Sequence, residues 1–214
     1  MADIISWRPS EASSILDRVV AVLMEGGMII YPTETVYGVG GLVREDVVRQ
    51  VRELKRRPEH LGMIVLMPSI RHVLRWAVTT QHPRILRLAQ AFWPGPLTLV
   101  VRATRHVPPY IRLDDGTVAM RISPHRFCQA LLQRLQAPLI STSANIHGHP
   151  PARSAREALA MLEGVALCID GGLLSAGRPS TVLRLQDPSP VILRQGPITA
   201  EAIERVLHVP IIRL

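Results

Sequence analysis

Apolar positions fall into two rhythms that alternate along the chain. Ile15, Val19, Val20, Val22 and Leu23 recur at helical spacing, which predicts a helix over 10–25 with Ser10 as its N-cap and Gly26 and Gly27 as its stop. Met28, Ile29, Ile30 and Tyr31 then form a short unbroken apolar run, the signature of a strand buried on both faces, and Pro32 ends it. Val47, Val48, Val51 and Leu54 predict a second helix over 46–57, closed by Pro58. The same reading gives strands over 62–67, 97–101, 117–122, 138–140, 165–170 and 191–193, and a further strand entered at Ser180 and Thr181. It gives helices over 69–77, 83–91, 127–135, 154–162 and 199–207. Ser154 with Glu157 reads as a capping box, and Pro94, Gly95 and Pro96 as a rigid corner before a strand. Strands interleaved with helices predict an α/β architecture.

Polar chemistry gathers at the strand ends. Past 28–31 come Thr33, Glu34 and Thr35, two hydroxyls and a carboxylate, in the position where open α/β sheets take ligands. Gly38, Gly40 and Gly41 read as a tight turn that lets backbone approach a bound group. Lys55, Arg56 and Arg57 crowd a helix's last turn, where cations either complement the macrodipole in solvent or meet a ligand. Arg121 lies inside an apolar strand and needs solvent or an anion, for which a bound carboxylate or phosphate is the favoured partner. Ser141 to Asn145, STSAN, forms a second donor-rich mouth, and Ser180, Thr181 and Arg194 extend the pattern.

Several chemistries are disfavoured. The GVGG run lacks a third glycine, and no GK[ST] follows it. No GxSxG elbow marks a nucleophilic serine, and His147 and His149 lack a third metal ligand. Cys128 and Cys168 carry no CxxC spacing, so a disulfide framework or zinc site is not expected. Lys and Arg number 25 against 17 Asp and Glu, a net charge of +8 that favours anionic partners such as nucleotides, pyrophosphate or RNA, while 4% aromatics argue against a single-strand stacking platform. The first residues lack a signal-peptide layout and no apolar run reaches a membrane span, so a cytoplasmic location and no membrane partner are expected.

YPTETVYGVG, the KxR of Lys55 and Arg57, FWPGPLT, VAMR, STSAN, and PSTV followed by ILRQG occur in this order. Together they resemble the YrdC/Sua5 family, the threonylcarbamoyl-AMP synthases of tRNA modification, over residues 28–196. The resemblance implies one α/β (α+β) domain over 1–214, the YrdC-like fold, with a twisted mixed sheet flanked by helices around a large basic cavity. It implies synthesis of threonylcarbamoyl-AMP and pyrophosphate from L-threonine, bicarbonate and ATP with Mg²⁺, and a partner enzyme, a tRNA threonylcarbamoyltransferase, that forms t6A at tRNA position 37. Such chemistry needs positioning and charge stabilisation rather than a protein nucleophile or a protein-held metal. By resemblance, Thr35, Arg121, Ser141 and Ser180 hold L-threonine, with Arg121 clamping its carboxylate bidentately; Lys55, Arg57, Thr117, Ser143, Asn145 and Arg194 hold ATP. The chain departs from the family pattern at Leu61, where a polar group is common, and at Leu66, where some relatives carry histidine. A non-catalytic tRNA-binding or ribosome-associated paralogue is the alternative.

Overall fold

The computed structural model describes residues 2–175 and 178–213. Among these, one mixed sheet of eleven strands runs through the molecule in the order β1-β8-β2-β3-β7-β4-β6-β5-β9-β10-β11. The strands are β1 (Asp3–Ser6), β2 (Ile29–Tyr31), β3 (Gly38–Leu42), β4 (Ile64–Leu66), β5 (Leu97–Arg102), β6 (Thr117–Arg121), β7 (Leu139–Ser143), β8 (Leu167–Asp170), β9 (Thr181–Arg184), β10 (Val191–Arg194) and β11 (Ile212–Arg213). The helices are α1 (Ala12–Met24), α2 (Glu45–Lys55), α3 (Ile70–Trp76), α4 (His82–Phe92), α5 (Arg126–Leu135), α6 (Ala155–Met161) and α7 (Ala200–Leu207).

Successive strand residues sort into two cores, as the pleat requires. Ile29 and Tyr31 of β2 pack with α1 and α5 through Ile15, Val19, Leu23, Phe127 and Leu131, whereas Ile30 joins the larger core built on the other helices, including Val47, Val73, Ile85 and Ile203. Leu139 and Ile140 divide in the same way. Helices α1 and α5 cover only part of their face. The uncovered remainder of that face is where the cavity lies.

The structure revises several local expectations. Residues 38–42 are a strand in the middle of the sheet and not a turn. A Cβ on Gly40 would stand 1.8 Å from the Ile140 carbonyl oxygen, so glycine is there to let β3 close on β7. Ser10 does not cap α1: Pro9 opens a 3-10 turn over Pro9–Glu11, which puts Glu11 at the cap position without a side-chain bond. Helix α2 ends at Lys55 because Arg56 turns left-handed, with φ 50°, so Arg57 leaves the helix axis. Strands β1 and β11 gave no apolar signal, since both are short edge strands with mostly exposed residues. Ser154 does cap α6, accepting from the Glu157 N–H at 3.2 Å, while the Glu157 carboxylate accepts from the Arg153 N–H at 2.8 Å.

Candidate active site

A cavity of about 270 Å³ opens on the uncovered sheet face. Leu139, Ser141 and Ser143 alternate along β7, which puts both serines on the face whose covered part Leu139 packs. Thr35, Arg57, Arg121, Ser141, Ser143, Ser180 and Arg194 all line the cavity. Residues from widely separated parts of the chain therefore share one wall.

The first rim is the loop between β2 and β3. Thr33 donates to the Val36 carbonyl at 2.6 Å and accepts from the Thr35 and Val36 N–H groups at 3.2 and 3.3 Å, a local turn that fixes Thr35 with its hydroxyl 3.0 Å from that of Thr33. Tyr37, also in the wall, donates to the Gly172 carbonyl at 2.8 Å and accepts from the Gly171 N–H at 3.0 Å, tying the end of β8 to this rim.

Three guanidinium groups supply the charge. Arg57 donates to the Gly62 carbonyl at 2.6 Å, and burial together with Arg52 and Arg194 lowers its proton affinity below the usual arginine range. Arg194 donates to the Ser180 carbonyl at 3.1 and 2.9 Å and to the Ser180 hydroxyl at 3.2 Å. The Ser180 hydroxyl also lies 2.9 Å from that of Thr98, so Arg194 and Thr98 fix its orientation between them.

Arg121 is buried, and burial with the nearby Arg194 brings its pKa down to about 10. Within the protein Arg121 already meets one anion: Nη2 pairs with the carboxylate of Glu34, and Nε donates to the Gly95 carbonyl at 3.1 Å. Gly95 belongs to the Pro-Gly-Pro corner. That corner is thus structural and holds an arginine by its backbone. With Nε donating and Nη2 ion-paired, Nη1 is the corner of the group that has neither a hydrogen bond nor an ion pair to protein among the described residues.

Lys55, Thr117 and Asn145 do not line the cavity. Lys55 is buried, and its ammonium donates to the Ser143 carbonyl, to the Asn145 carbonyl at 2.5 Å and to Asn145 Oδ1 at 3.4 Å. Burial and Arg57 push its pKa down to about 7, while those acceptors favour the charged form. Asn145 donates to the carbonyls of Ile146 and His149 at 2.8 and 2.7 Å, closing the loop after β7. Thr117 stands at the opposite end of β6 from Arg121, where its hydroxyl donates to Asp115 at 2.5 Å. The sequence gives Ser123 no site role and marks Leu66 only as a departure from the family pattern, and both line the cavity. Ser123 lies just beyond β6, outside any motif, whereas Leu66 pairs directly with Arg121 across β4 and β6, so it was within reach of a register argument.

Cys128 and Cys168 are both buried free thiols. Among the described residues no three His, Cys, Asp or Glu side chains gather as a metal-holding set, and no helix is long and apolar enough to cross a membrane. Hydroxyls and guanidiniums dominate the polar lining, a donor set suited to anions and poorly suited to a resident cation.

Comparison with known proteins gives this geometry its context. A family profile named Sua5/YciO/YrdC and described as "Telomere recombination" matches residues 21–196. The chain is 39% identical over 171 residues to a threonylcarbamoyl-AMP synthase of Xanthomonas euvesicatoria pv. vesicatoria, covering 78% of this chain and 91% of that protein. It is 36% identical over 187 residues to the threonylcarbamoyl-AMP synthase of Pyrococcus abyssi, covering 86% of this chain and 55% of that one. The solved structure of P. abyssi Sua5 complexed with L-threonine superposes with a TM-score of 0.87 at 34% identity, over 99% of this chain and 62% of the other. The mixed sheet, the concave basic wall and these matches agree: the chain belongs to the Sua5/YciO/YrdC family.

Proposed function

We infer that this protein is an L-threonylcarbamoyladenylate synthase, making threonylcarbamoyl-AMP, pyrophosphate and water from L-threonine, bicarbonate and ATP. The observation that carries the reading is the convergence of Arg57, Arg121 and Arg194 with the hydroxyls of Thr35, Ser141, Ser143 and Ser180 in one cavity. Relatives of similar length bear this name, and a structural neighbour holds L-threonine.

The threonine amine is carboxylated to a carbamate, whose oxygen attacks the α-phosphorus of ATP and expels pyrophosphate. No protein nucleophile enters this sequence. Arg121 receives the amino-acid carboxylate at its Nη1 end, with Thr35, Ser141 and Ser180 around the rest of the substrate. Arg57 and Arg194 face the phosphates and stabilise the charge that grows on the leaving pyrophosphate, and Ser143 adds a hydroxyl donor. Lys55 and Asn145 serve the nucleotide by holding the loop that carries Ser143, as their bonds to that loop support. Mg²⁺ enters on the triphosphate rather than in a protein cage, consistent with the hydroxyl and guanidinium lining. The product is an activated acyl donor for t6A formation by a tRNA threonylcarbamoyltransferase.

The test is incubation of the protein with ATP, Mg²⁺, bicarbonate and radiolabelled L-threonine. A labelled adenylate formed together with pyrophosphate is expected, with serine and valine substituting poorly. Absence of both products, with RNA retained at moderate salt, overturns the reading in favour of an RNA-binding paralogue.

A further inference from the structure

The cationic groups of the cavity are not alike. Arg57 and Arg194 have carbonyl and hydroxyl partners, so their charge stays open to an anionic ligand. Arg121 alone among them is ion-paired, to Glu34. Glu34 comes from the loop after β2, and its Oε1 is sealed from solvent. Its other oxygen, Oε2, accepts from the Ser123 hydroxyl at 2.6 Å, and that hydroxyl in turn accepts from the His125 N–H at 3.2 Å. Arg121 and Ser123 line the cavity, and the Glu34 carboxylate holds both of these wall residues.

Two consequences follow from this placement. The guanidinium is fixed at Nε by Gly95 and at Nη2 by Glu34, which aims its remaining corner. The pair also sums to zero charge. A net-anionic ligand therefore gains little overall attraction at this end of the cavity. A zwitterion finds a cation for its carboxylate with a carboxylate close enough to favour its ammonium. The cavity is thus graded, cationic at Arg57 and Arg194 and neutral but dipolar at Arg121.

We propose that Glu34 is a positioning and specificity residue, a half-buried counter-ion that sets the orientation of Arg121 and makes the pocket prefer an amino-acid zwitterion over a net-anionic acid of the same skeleton. The proposal rests on the reading of the cavity as an L-threonine site.

Calorimetric titration of L-threonine, of 2,3-dihydroxybutyrate, in which hydroxyl replaces ammonium, and of ATP into the wild type and Glu34→Gln tests it. Glu34→Gln keeps an acceptor for Ser123 and removes the charge. Threonine affinity is expected to fall about tenfold or more, ATP affinity to stay within about twofold, and the preference for threonine over dihydroxybutyrate to narrow by about tenfold. Glu34→Asp is expected to restore part of the preference, and steady-state assays to show the change in the KM for threonine rather than in kcat. Ser123→Ala, which removes one of the carboxylate's two anchors, is expected to shift the preference about threefold in the same direction, and it decides the matter if Glu34→Gln does not fold. An unchanged preference in the folded variant, or equal losses for threonine and ATP, overturns the role of Glu34. A wild type that binds no threonine overturns the reading of the site itself.

Discussion

Strand β6 carries Arg121 at one end and Thr117 at the other, and the two ends have different employment. The residues are four positions apart on the same face of the strand, which separates them by about 13 Å. At the first end Arg121 meets Glu34 and the cavity. At the second end Thr117 donates to Asp115, which accepts from the Thr117 N–H at 3.1 Å and pairs with Arg184 at 3.2 Å. One end leaves a cationic corner for a ligand; the other satisfies its polar groups within the protein. Motif membership did not separate them, because both sit in TVAMR.

The sharpest way to test this difference is Arg121→Ala beside Thr117→Ala. Removing Arg121 leaves the half-buried Glu34 without its cation, a change that lowers stability and reduces threonine affinity by about 100-fold. Thr117→Ala is expected to leave threonine and ATP binding within about threefold. Thermal unfolding and calorimetry read both effects. A loss of substrate affinity in Thr117→Ala equal to that in Arg121→Ala would erase the distinction.

Arg57→Ala comes next in size. Losing a charged donor to the phosphates is expected to weaken ATP binding by about 1.5–3 kcal/mol while threonine affinity holds, the reverse of Arg121→Ala. Lys55→Met removes the shared donor of two carbonyl groups and an amide oxygen. It is expected to destabilise the fold by about 2 kcal/mol, with hydrogen exchange rising in 143–147, and to affect ATP binding only through that loop.

A smaller effect comes from His125, whose Nδ1 accepts the Phe127 N–H as the cap of α5. Burial lowers its pKa, so the folded protein resists the proton that the unfolded chain takes up below about pH 6.5. The unfolded state then binds more protons, and stability falls as pH drops through that range, by at most about 1.4 kcal/mol per pH unit. Denaturant midpoints measured from pH 7.5 to 5 check this, and His125→Asn, which keeps a capping oxygen, is expected to flatten the profile.

The helices and central strands were legible because each buries a face with its own period. The apolar set Val47, Val48 and Val51 is buried as α2 requires, and the run at Ile29–Tyr31 is buried throughout. Strand β3 was not legible, since glycines chosen for close strand approach look locally like glycines chosen for a turn. Within the site, Thr35, Arg57, Arg121, Ser141, Ser143, Ser180 and Arg194 were within reach of motif reading, and they share one wall. Sequence gives no direction for a side chain, however. Lys55 and Arg57 lie two positions apart, yet the left-handed Arg56 sends the second to the cavity while the first stays behind the loop after β7. Glu34 stood in view as a carboxylate beside two hydroxyls, but its partner lies 87 positions away, a pairing only the sheet order reveals.

The parallel pairing of β9 with β5 places Leu97 beside Thr181, and β10 follows with Arg194. The cavity is thus closed by strands that a ribosome delivers after those carrying Arg121 and Ser141. A nascent chain that has released Arg57 and Arg121 still lacks Ser180 and Arg194, so the cavity wall stays incomplete until β10 has emerged, and closure of these long-range pairs belongs to the slow part of folding. Once assembled, any ligand spanning Arg121 and Arg194 fastens early and late segments together.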